Sequence, residues 1–311
     1  MLAARVNWLP LRRALPWLAP IAAGALLVAH RSTMDAGADA LRHADWEWLV
    51  AAMIAMSATW FAAACSQVGA TTTVIPLPRV LAVQVAASFV NHVLPAGAGS
   101  VAVNLRMLRR LGLGAGSARV AVAINTGAGI VIHVAALAVL LPLAPLPISR
   151  WWLLGTAAAL SAATVIVVGG VVVMHRYAPA RRLGLRLVAA VRAGAGVLRD
   201  PRRLALLLVG SAAIPALHIA VLLAVANSLH IAAPALSIAI AYLGASAVAA
   251  LVPSPGAFGS LDIALVAALV AVGSSLPAAV AVVVAYRLLT VWLPLLPAAA
   301  TTVILLRRRV V

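Results

Sequence analysis

The sequence predicts an all-α polytopic membrane protein, and three features of its composition support this fold class. Apolar residues make up 65% of the 311 residues, whereas soluble domains contain roughly 45–50%. Charged residues make up only 9%, and the mean hydropathy is +1.12. A soluble protein of this length needs more polar residues to cover its surface. Residues 1–311 are therefore expected to form a single transmembrane domain.

Eight hydrophobic segments follow one another along the chain. A spanning helix needs about 20 residues, so six segments are expected to cross completely and two to form re-entrant hairpins of broken helices. The expected spans are residues 14–29, 46–66, 118–141, 151–174, 204–228 and 277–306. The expected hairpins are residues 80–98, with a return half-helix that ends near Gly112, and residues 234–251 with 260–272.

The arginines set the expected orientation, because short cytoplasmic loops keep an excess of positive charge. All 23 basic residues are Arg. If the first broken segment crossed completely, twelve Arg residues between positions 106 and 203 would lie outside. If both broken segments turn back, 19 Arg lie inside. We therefore expect a multi-pass protein of the plasma membrane with both termini in the cytoplasm and residues 175–203 as a basic cytoplasmic loop.

The two halves of the chain show the same order of segments, which predicts an inverted repeat. Residues 14–141 contain two spans, one hairpin and one span, and residues 151–306 repeat this order from the opposite face. Short Gly- and Pro-rich stretches, residues 94–100 and 252–260, interrupt the two hairpins. Interrupted helices at corresponding positions of a repeat point to a transport site near the middle of the membrane. Alternatively, Gly and Pro are simply frequent in membrane helices.

The composition excludes several classes of enzyme. Without Lys the chain has neither a P-loop lysine nor an amine for a Schiff base. With Cys65 as its single cysteine it has no intrachain disulfide and no multi-cysteine metal site. Its six acidic residues are not spaced as a metal site, and four of them share one short polar segment: Asp35, Asp39, Asp45 and Glu47. We expect no metal, no cofactor and no catalytic residue.

The two breaks are expected to form a receptor for an anion such as a lipid phosphate. Glycines let backbone N–H groups face one point, and the start of each following half-helix adds partial positive charge. Ser100 and Ser260 are candidate N-caps of these half-helices. The alternative is a pair of tight turns that use Gly and Pro for geometry alone. The candidate binding residues are Asn91, Pro95, Gly97, Gly99, Ser100, Pro255, Gly256, Gly259 and Ser260.

Three charged residues near the breaks complete the predicted binding set. Arg106 lies six residues after Ser100, where it either meets a phosphate or extends to the headgroups at the membrane surface. Asp262 and Arg287 lie inside apolar segments at similar depth and form a candidate pair. The pair either locks the structure or acts on the substrate, with Arg287 binding a phosphate that Asp262 protonates or releases.

The other polar residues have simpler expected roles. His133 and His218, like Asn125, lie in other helices, and the two histidines are expected to hydrogen-bond between helices. The eight Arg residues of the 175–203 loop are expected to attract anionic lipid. No aromatic residues alternate with them as in nucleic-acid sites, so no nucleic-acid partner is expected.

The broken segments carry a family resemblance. The Leu-Pro-x-Gly-x-Gly break with Arg106 and Arg110-Leu111-Gly112, and the later Pro-x-Pro-Gly-x-x-Gly-x-x-Asp262 with Tyr286-Arg287 and Trp292-Leu293-Pro294, resemble the lysylphosphatidylglycerol synthase transmembrane-region family of flippase-like proteins. Many relatives have Glu at the Asp262 position and a second Gly at the Ala96 or Ala257 position. The chain has no room for the aminoacyl-transferase domain of the best-known member, so the resemblance implies transport.

These features together lead us to expect a lipid flippase or transporter. Its expected substrate is an anionic lipid, either a phospholipid derivative or a polyprenyl-phosphate-linked sugar, and its expected partners include membrane glycosyltransferases or lipid-synthesis enzymes. The alternative is a glycosyltransferase that uses polyprenyl-phosphate sugars, or its accessory subunit, since Asp45-Trp46-Glu47 resembles the acidic pair of such enzymes. A purely structural subunit is a third hypothesis.

Overall fold

The computed structural model describes residues 42, 44–94, 98–143, 196–197, 199–231, 233–251, 256–308 and 310. These residues form the helices α1 (Trp46–Gly69), α2 (Leu77–Val93), α3 (Ala98–Arg110), α4 (Ala115–Leu140), α5 (Pro201–Ser228), α6 (Ala235–Leu251), α7 (Ser260–Ala271), α8 (Leu276–Arg287) and α9 (Leu293–Arg307). A 3₁₀ turn, Leu141–Leu143, extends α4, and a π-helical turn, Leu288–Trp292, joins α8 to α9.

Four stretches of the described chain are long and apolar enough to cross a membrane: α1, α4 with its 3₁₀ turn, α5, and the continuous stretch from α8 to α9. Helices α6 and α7 are shorter apolar helices. The predicted fold class is therefore confirmed: the protein is an all-α, multi-pass membrane protein. The expected spans at residues 14–29 and 151–174, and most of the basic loop, lie outside the described residues.

Short-range signals explain where several helices begin. Pro201 occupies the first turn of α5, where its missing N–H costs nothing. The Asp200 carboxylate caps this helix by accepting hydrogen bonds from Arg202 N (3.0 Å) and Arg203 N (3.4 Å). Ser275 caps α8 in the same way through Ala278 N. Asp200, the one acidic residue among residues 175–203, therefore has a local structural role as a helix cap.

Helices α1 and α5 make the most extensive helix pair of the described structure. They run antiparallel, because Gly69 near the end of α1 contacts Arg203 and Leu207 near the start of α5. A Cβ built on Gly210 would lie 2.5 Å from the backbone N of Ser66. Small residues allow this approach, as is typical of membrane helices.

Gly210→Leu is expected to destabilise the protein, because the new side chain overlaps the α1 backbone rather than a side chain that can move. Overpacking of this kind costs roughly 1–3 kcal/mol. The measurement is the thermal unfolding midpoint in detergent. Gly244→Leu in α6 is the matched control, since a Cβ there meets nothing within 4 Å. Equal midpoints for the two variants would contradict the expectation.

Two helical hairpins flank this pair. In the first, α2 packs along α3, and Gln84 Nε2 donates to Asn104 Oδ1 at 2.8 Å. In the second, α6 packs along α7. In each hairpin the two helices lie on either side of the Gly- and Pro-rich stretch where the sequence predicts a break. However, α3 begins at Ala98, so Ser100 is the third residue of the helix, and the expectation that it is an N-cap is wrong.

Eight of the described arginines collect at one end of the bundle, the arginine-rich end. The end of α9, the start of α2, the end of α3 and the start of α4 share one apolar cluster, represented by Leu305, Val80, Leu108 and Ala118. The arginine-rich end is formed by Arg79, Arg109, Arg110, Arg119, Arg202, Arg203, Arg307 and Arg308.

The acidic residues Asp45 and Glu47 lie at the opposite end of the bundle. Here Asp45 N donates to Ser228 O at 3.0 Å, where α1 begins and α5 ends. The Asp45 carboxylate also lies 3.2 Å from His230 Nε2. The hairpin turn between α2 and α3 returns the chain to the arginine-rich end, as the charge pattern predicts.

Candidate functional site

Arg287 is the buried cation at the centre of the candidate site. Only 6% of the residue is exposed, although it is the last residue of α8 and lies far from either end of the continuous α8–α9 stretch. Its Nε donates to Asp262 Oδ1. Its two terminal nitrogens donate to Ala257 O (2.7 Å) and to Gly256 O (3.4 Å). Three of the five guanidinium N–H groups are therefore bound, two to carbonyls of the second break and one to Asp262.

Asp262 links this arginine to the start of α7. One carboxylate oxygen accepts from Arg287, and the other accepts at 2.8 Å from the backbone N–H of Gly259, the N-cap of α7. The predicted pairing of Asp262 with Arg287 is therefore confirmed. Pairing offsets the free-energy cost of placing either charge alone in the membrane, which is about 2.5–3.5 kcal/mol on insertion scales.

The first break contacts the second directly. Asn91, near the end of α2, accepts a hydrogen bond from Gly256 N through its backbone carbonyl at 3.1 Å. Its side-chain oxygen accepts from Ser100 N at 2.7 Å. Asn91 thus bonds both to the start of α3 and to the loop that holds Arg287. The two Gly- and Pro-rich breaks meet at one junction, which contains Asn91, Gly99, Ser100, Gly256, Gly259, Asp262 and Arg287.

The helix starts at this junction differ from the anion receptor that the sequence suggests. Gly259, with φ = +75°, is the N-cap of α7, and Ser260 is its first helical residue. The prediction that Ser260 is the N-cap is wrong, because only a residue that tolerates positive φ fits this turn. Gly259 N already binds Asp262, and Ser100 N binds Asn91. An incoming anion would therefore have to compete with these side-chain oxygens.

Aromatic rings cover the pair on one side. The guanidinium of Arg287 lies 5.6 Å from the ring centroid of Phe258, within cation–π range. Phe258 also stacks on Trp292 of the π-helical turn at 5.4 Å, and its ring centroid lies 6.1 Å from that of His92. The aromatic cover restricts the approach of water to the guanidinium.

The two predicted interhelical histidine contacts are present. His218 Nδ1 of α5 lies 2.9 Å from the Tyr286 hydroxyl, and the His218 ring stacks on Tyr242 of α6 at 5.7 Å. His133 Nε2 of α4 lies 3.0 Å from the backbone carbonyl of Leu243. The expectation that these histidines join helices is confirmed.

Asn125 makes a further interhelical contact, between α4 and α1. Its side-chain oxygen accepts from the Ser66 hydroxyl, and its Nδ2 donates to Gln67 Oε1 at 3.1 Å. Ser66 also lies 2.9 Å from the Ser211 hydroxyl of α5. This polar cluster joins three helices and does not contact the Arg287 junction through the bonds described above.

An apolar groove leads away from the ion pair between α7 and α8. Its volume is about 680 Å³. Asp262, Arg287 and Gly259 form its polar end, and apolar side chains line the remainder, among them Ile263, Val266, Val270, Leu276, Val280 and Val283. Several of these walls are open to the outside, with 74% of Ile263 and 60% of Leu276 exposed.

The remaining predicted site residues are Pro95, Gly97, Pro255 and Arg106. Pro95, Gly97 and Pro255 fall outside the described residues. Arg106 is exposed on α3, seven residues further along than Gly99. The binding roles predicted for these residues stay predictions. Among the described residues, no group of three or more His, Cys, Asp and Glu side chains is placed to hold a metal ion.

Sequence reasoning missed the carbonyl partners of Arg287. Gly256 (φ = +58°) and Ala257 (φ = +52°) both adopt the left-handed conformation, which turns their carbonyls towards the guanidinium. Gly is the residue that usually takes this conformation. The family resemblance, in which many relatives have Gly at the Ala257 position, was the sequence signal for this left-handed conformation.

Comparison with known proteins agrees with this architecture. The model of the lysylphosphatidylglycerol synthase TM region matches residues 17–298, about nine-tenths of the chain. The match includes both hairpins, Asp262 and Arg287. No curated protein matches the chain. With both broken helices and the charge pair inside the matched range, the chain belongs to the family of the lysylphosphatidylglycerol synthase TM region.

Proposed function

We propose that this protein is a lipid flippase or transporter that moves an anionic lipid between the two leaflets of a membrane. The observation that carries the proposal is the Asp262–Arg287 pair, buried where the two hairpin turns meet and open to an apolar groove. A lipid has the same division into a charged end and an apolar remainder. The substrate is a phospholipid derivative or a polyprenyl-phosphate-linked sugar.

The proposed mechanism uses the pair as an exchangeable contact. A phosphate that approaches Arg287 replaces the Asp262 carboxylate as the partner of the guanidinium, and a bidentate arginine–phosphate contact is at least as strong. Asp262 keeps its bond to Gly259 N meanwhile, so α7 stays capped. Return of Asp262 to Arg287 then releases the phosphate. Arg287 thus has an anionic partner at every stage, and Asp262 keeps a backbone hydrogen bond while the phosphate is bound.

The proposed topology places this exchange between two leaflets. The α2–α3 and α6–α7 hairpins enter the membrane from opposite faces as parts of the inverted repeat 14–141 and 151–306. The arginine-rich end faces the cytoplasm, in accordance with the positive-inside rule, and both termini lie on that side of the plasma membrane. Glycosyltransferases or lipid-synthesis enzymes are the proposed partners, and the protein itself performs no covalent chemistry.

Leaflet exchange in proteoliposomes tests this function. The purified protein is expected to accelerate the exchange of a fluorescent phosphatidylglycerol relative to protein-free liposomes. The variant Asp262→Asn/Arg287→Gln, which removes both charges, is expected to reduce the rate to that of protein-free liposomes. Arg110→Gln, at the exposed arginine-rich end, is the matched control and is expected to retain the wild-type rate. Exchange at equal rates with and without protein, for both this lipid and a polyprenyl phosphate, would contradict the proposal.

The glycosyltransferase alternative has a separate outcome. Asp45 and Glu47 are exposed at the start of α1, and Asp45 already contacts His230 and the end of α5. If Asp45→Asn abolishes sugar transfer in cells while leaflet exchange is unchanged, the enzyme hypothesis replaces transport.

A further inference from the structure

The groove between α7 and α8 has a defined polarity. Its charged end is the Asp262–Arg287 pair, and its far end lies at Val270 and Leu276. Asp262 and Val270 are separated by eight residues, which is about 12 Å along a helix. Arg287 and Leu276 are separated by eleven residues, about 16 Å. The groove is therefore about as long as one leaflet of a hydrocarbon core that is roughly 30 Å thick.

The direction of the groove follows from the helix that forms one wall. The continuous stretch from α8 to α9 begins at Leu276 and ends at Arg307, at the arginine-rich end. The apolar end of the groove therefore points away from the arginine-rich end, and the charge pair lies between the two. A lipid whose headgroup reaches the pair and whose chain fills the groove therefore points its chain away from the arginine-rich end.

We propose that this groove holds one hydrocarbon chain of a phosphate-containing lipid, with the headgroup at Arg287 and the end of the chain near Leu276. This inference rests on the proposed function and specifies how its substrate binds. The volume of about 680 Å³ falls within the roughly 300–1,000 Å³ of ordinary ligand sites. The exposed walls at Ile263 and Leu276 allow the chain to enter sideways from the membrane.

A lipid fits this groove better than a second protein chain does. A helix of a partner is about 10–12 Å wide, and it would cover the charged end with a backbone that offers no free polar groups. The phosphate of a lipid brings acceptor oxygens to the guanidinium instead. The headgroup and the chain of one molecule thus match the two ends of the groove.

Photolabelling with two phosphatidylglycerol probes tests the inference. One probe carries a diazirine at the end of an acyl chain, and the other carries it next to the headgroup. After irradiation of the protein in nanodiscs, mass spectrometry of peptides identifies the labelled residues. The chain-end probe is expected to label the region of Val270 and Leu276, and the headgroup probe the region of Phe258 and Gly259. Excess unlabelled phosphatidylglycerol is expected to reduce both labels several-fold, since the site is saturable.

A variant that fills the groove provides the control for folding. Ala267→Trp places a large side chain on a groove wall while leaving the charge pair intact, and it is expected to lower the chain-end label several-fold. Val131→Trp, on the exposed face of α4, is expected to leave it unchanged. The inference would be overturned if the labelling is not saturable or if the two probes label the opposite ends of the groove. Equal labelling of the two variants, or protein–protein crosslinks in place of lipid labels, would also overturn it. Saturable labelling without leaflet exchange would instead reject transport and leave the binding site standing.

Discussion

Arg287→Ala is expected to be among the most destabilising single substitutions in the described part of the protein. It leaves the Asp262 carboxylate without its cationic partner and removes the donors that bind the carbonyls of Gly256 and Ala257. Loss of one member of a buried ion pair costs roughly 3–5 kcal/mol. Because the Asp262 side chain is 32% exposed, we expect a loss near the lower value. Thermal unfolding in detergent measures it.

The double variant Asp262→Asn/Arg287→Gln separates the charge effect from the packing effect. Asn at position 262 retains an acceptor for Gly259 N, and Gln at position 287 retains a donor for the carbonyls of the second break. With no charge left unpaired, the double variant is expected to unfold at a temperature nearer to the wild type than Arg287→Ala does. If it is as unstable as the single variant, the pair stabilises the fold through packing and hydrogen bonds rather than through charge compensation.

The ion pair was predictable from the sequence because charge is rare in apolar segments. Asp262 and Arg287 stand out against their neighbours, and counting residues from the segment ends places them at similar depth. The sequence also predicts which stretches break, since Gly and Pro mark them. The same reasoning extends to the arginines, whose distribution predicts the hairpin turn between α2 and α3.

Contacts between distant parts of the chain were not predictable in this way. The bond between the Asn91 carbonyl and Gly256 N joins two backbone groups that no side-chain pattern marks. The Ser residues after each break suggested N-caps, but Asn91 and Asp262 supply the capping oxygens instead. Their selection depends on how the hairpins pack, which a local motif does not record.

The π-helical turn after Arg287 is a second feature without a clear sequence signal. Leu293 N donates to Leu288 O, five residues back, instead of four. Pro294 has no N–H, so the carbonyl of Thr290 lacks its usual helical partner. Proline marks a weak point in the helix, but it does not reveal whether the chain kinks or widens there. The turn allows Trp292 to stack on Phe258 beside the pair.

Gly99→Ala is expected to weaken both the first hairpin and the junction between the breaks. A Cβ at this position would lie 2.5 Å from Asn91 N and 2.5 Å from the carbonyl carbon of Val90. These are backbone atoms, so relief requires α2 and α3 to separate. That movement displaces Asn91, which bonds both to Ser100 N and to Gly256 N. The expected result is a lower unfolding midpoint and loss of leaflet exchange.

A comparison of Gly99→Ala with Gly99→Val distinguishes a backbone clash from a side-chain clash. Because the overlap occurs at the Cβ itself, Gly99→Ala is expected to be nearly as harmful as Gly99→Val. Gly127→Ala in α4 is the matched control: a Cβ there meets nothing within 4 Å, and Ala favours a helix interior over Gly by up to about 1 kcal/mol. It should therefore be neutral or stabilising. A Gly99→Ala variant that matches this control in unfolding midpoint and in leaflet exchange would show that the close approach of α2 and α3 does not hold the two breaks together.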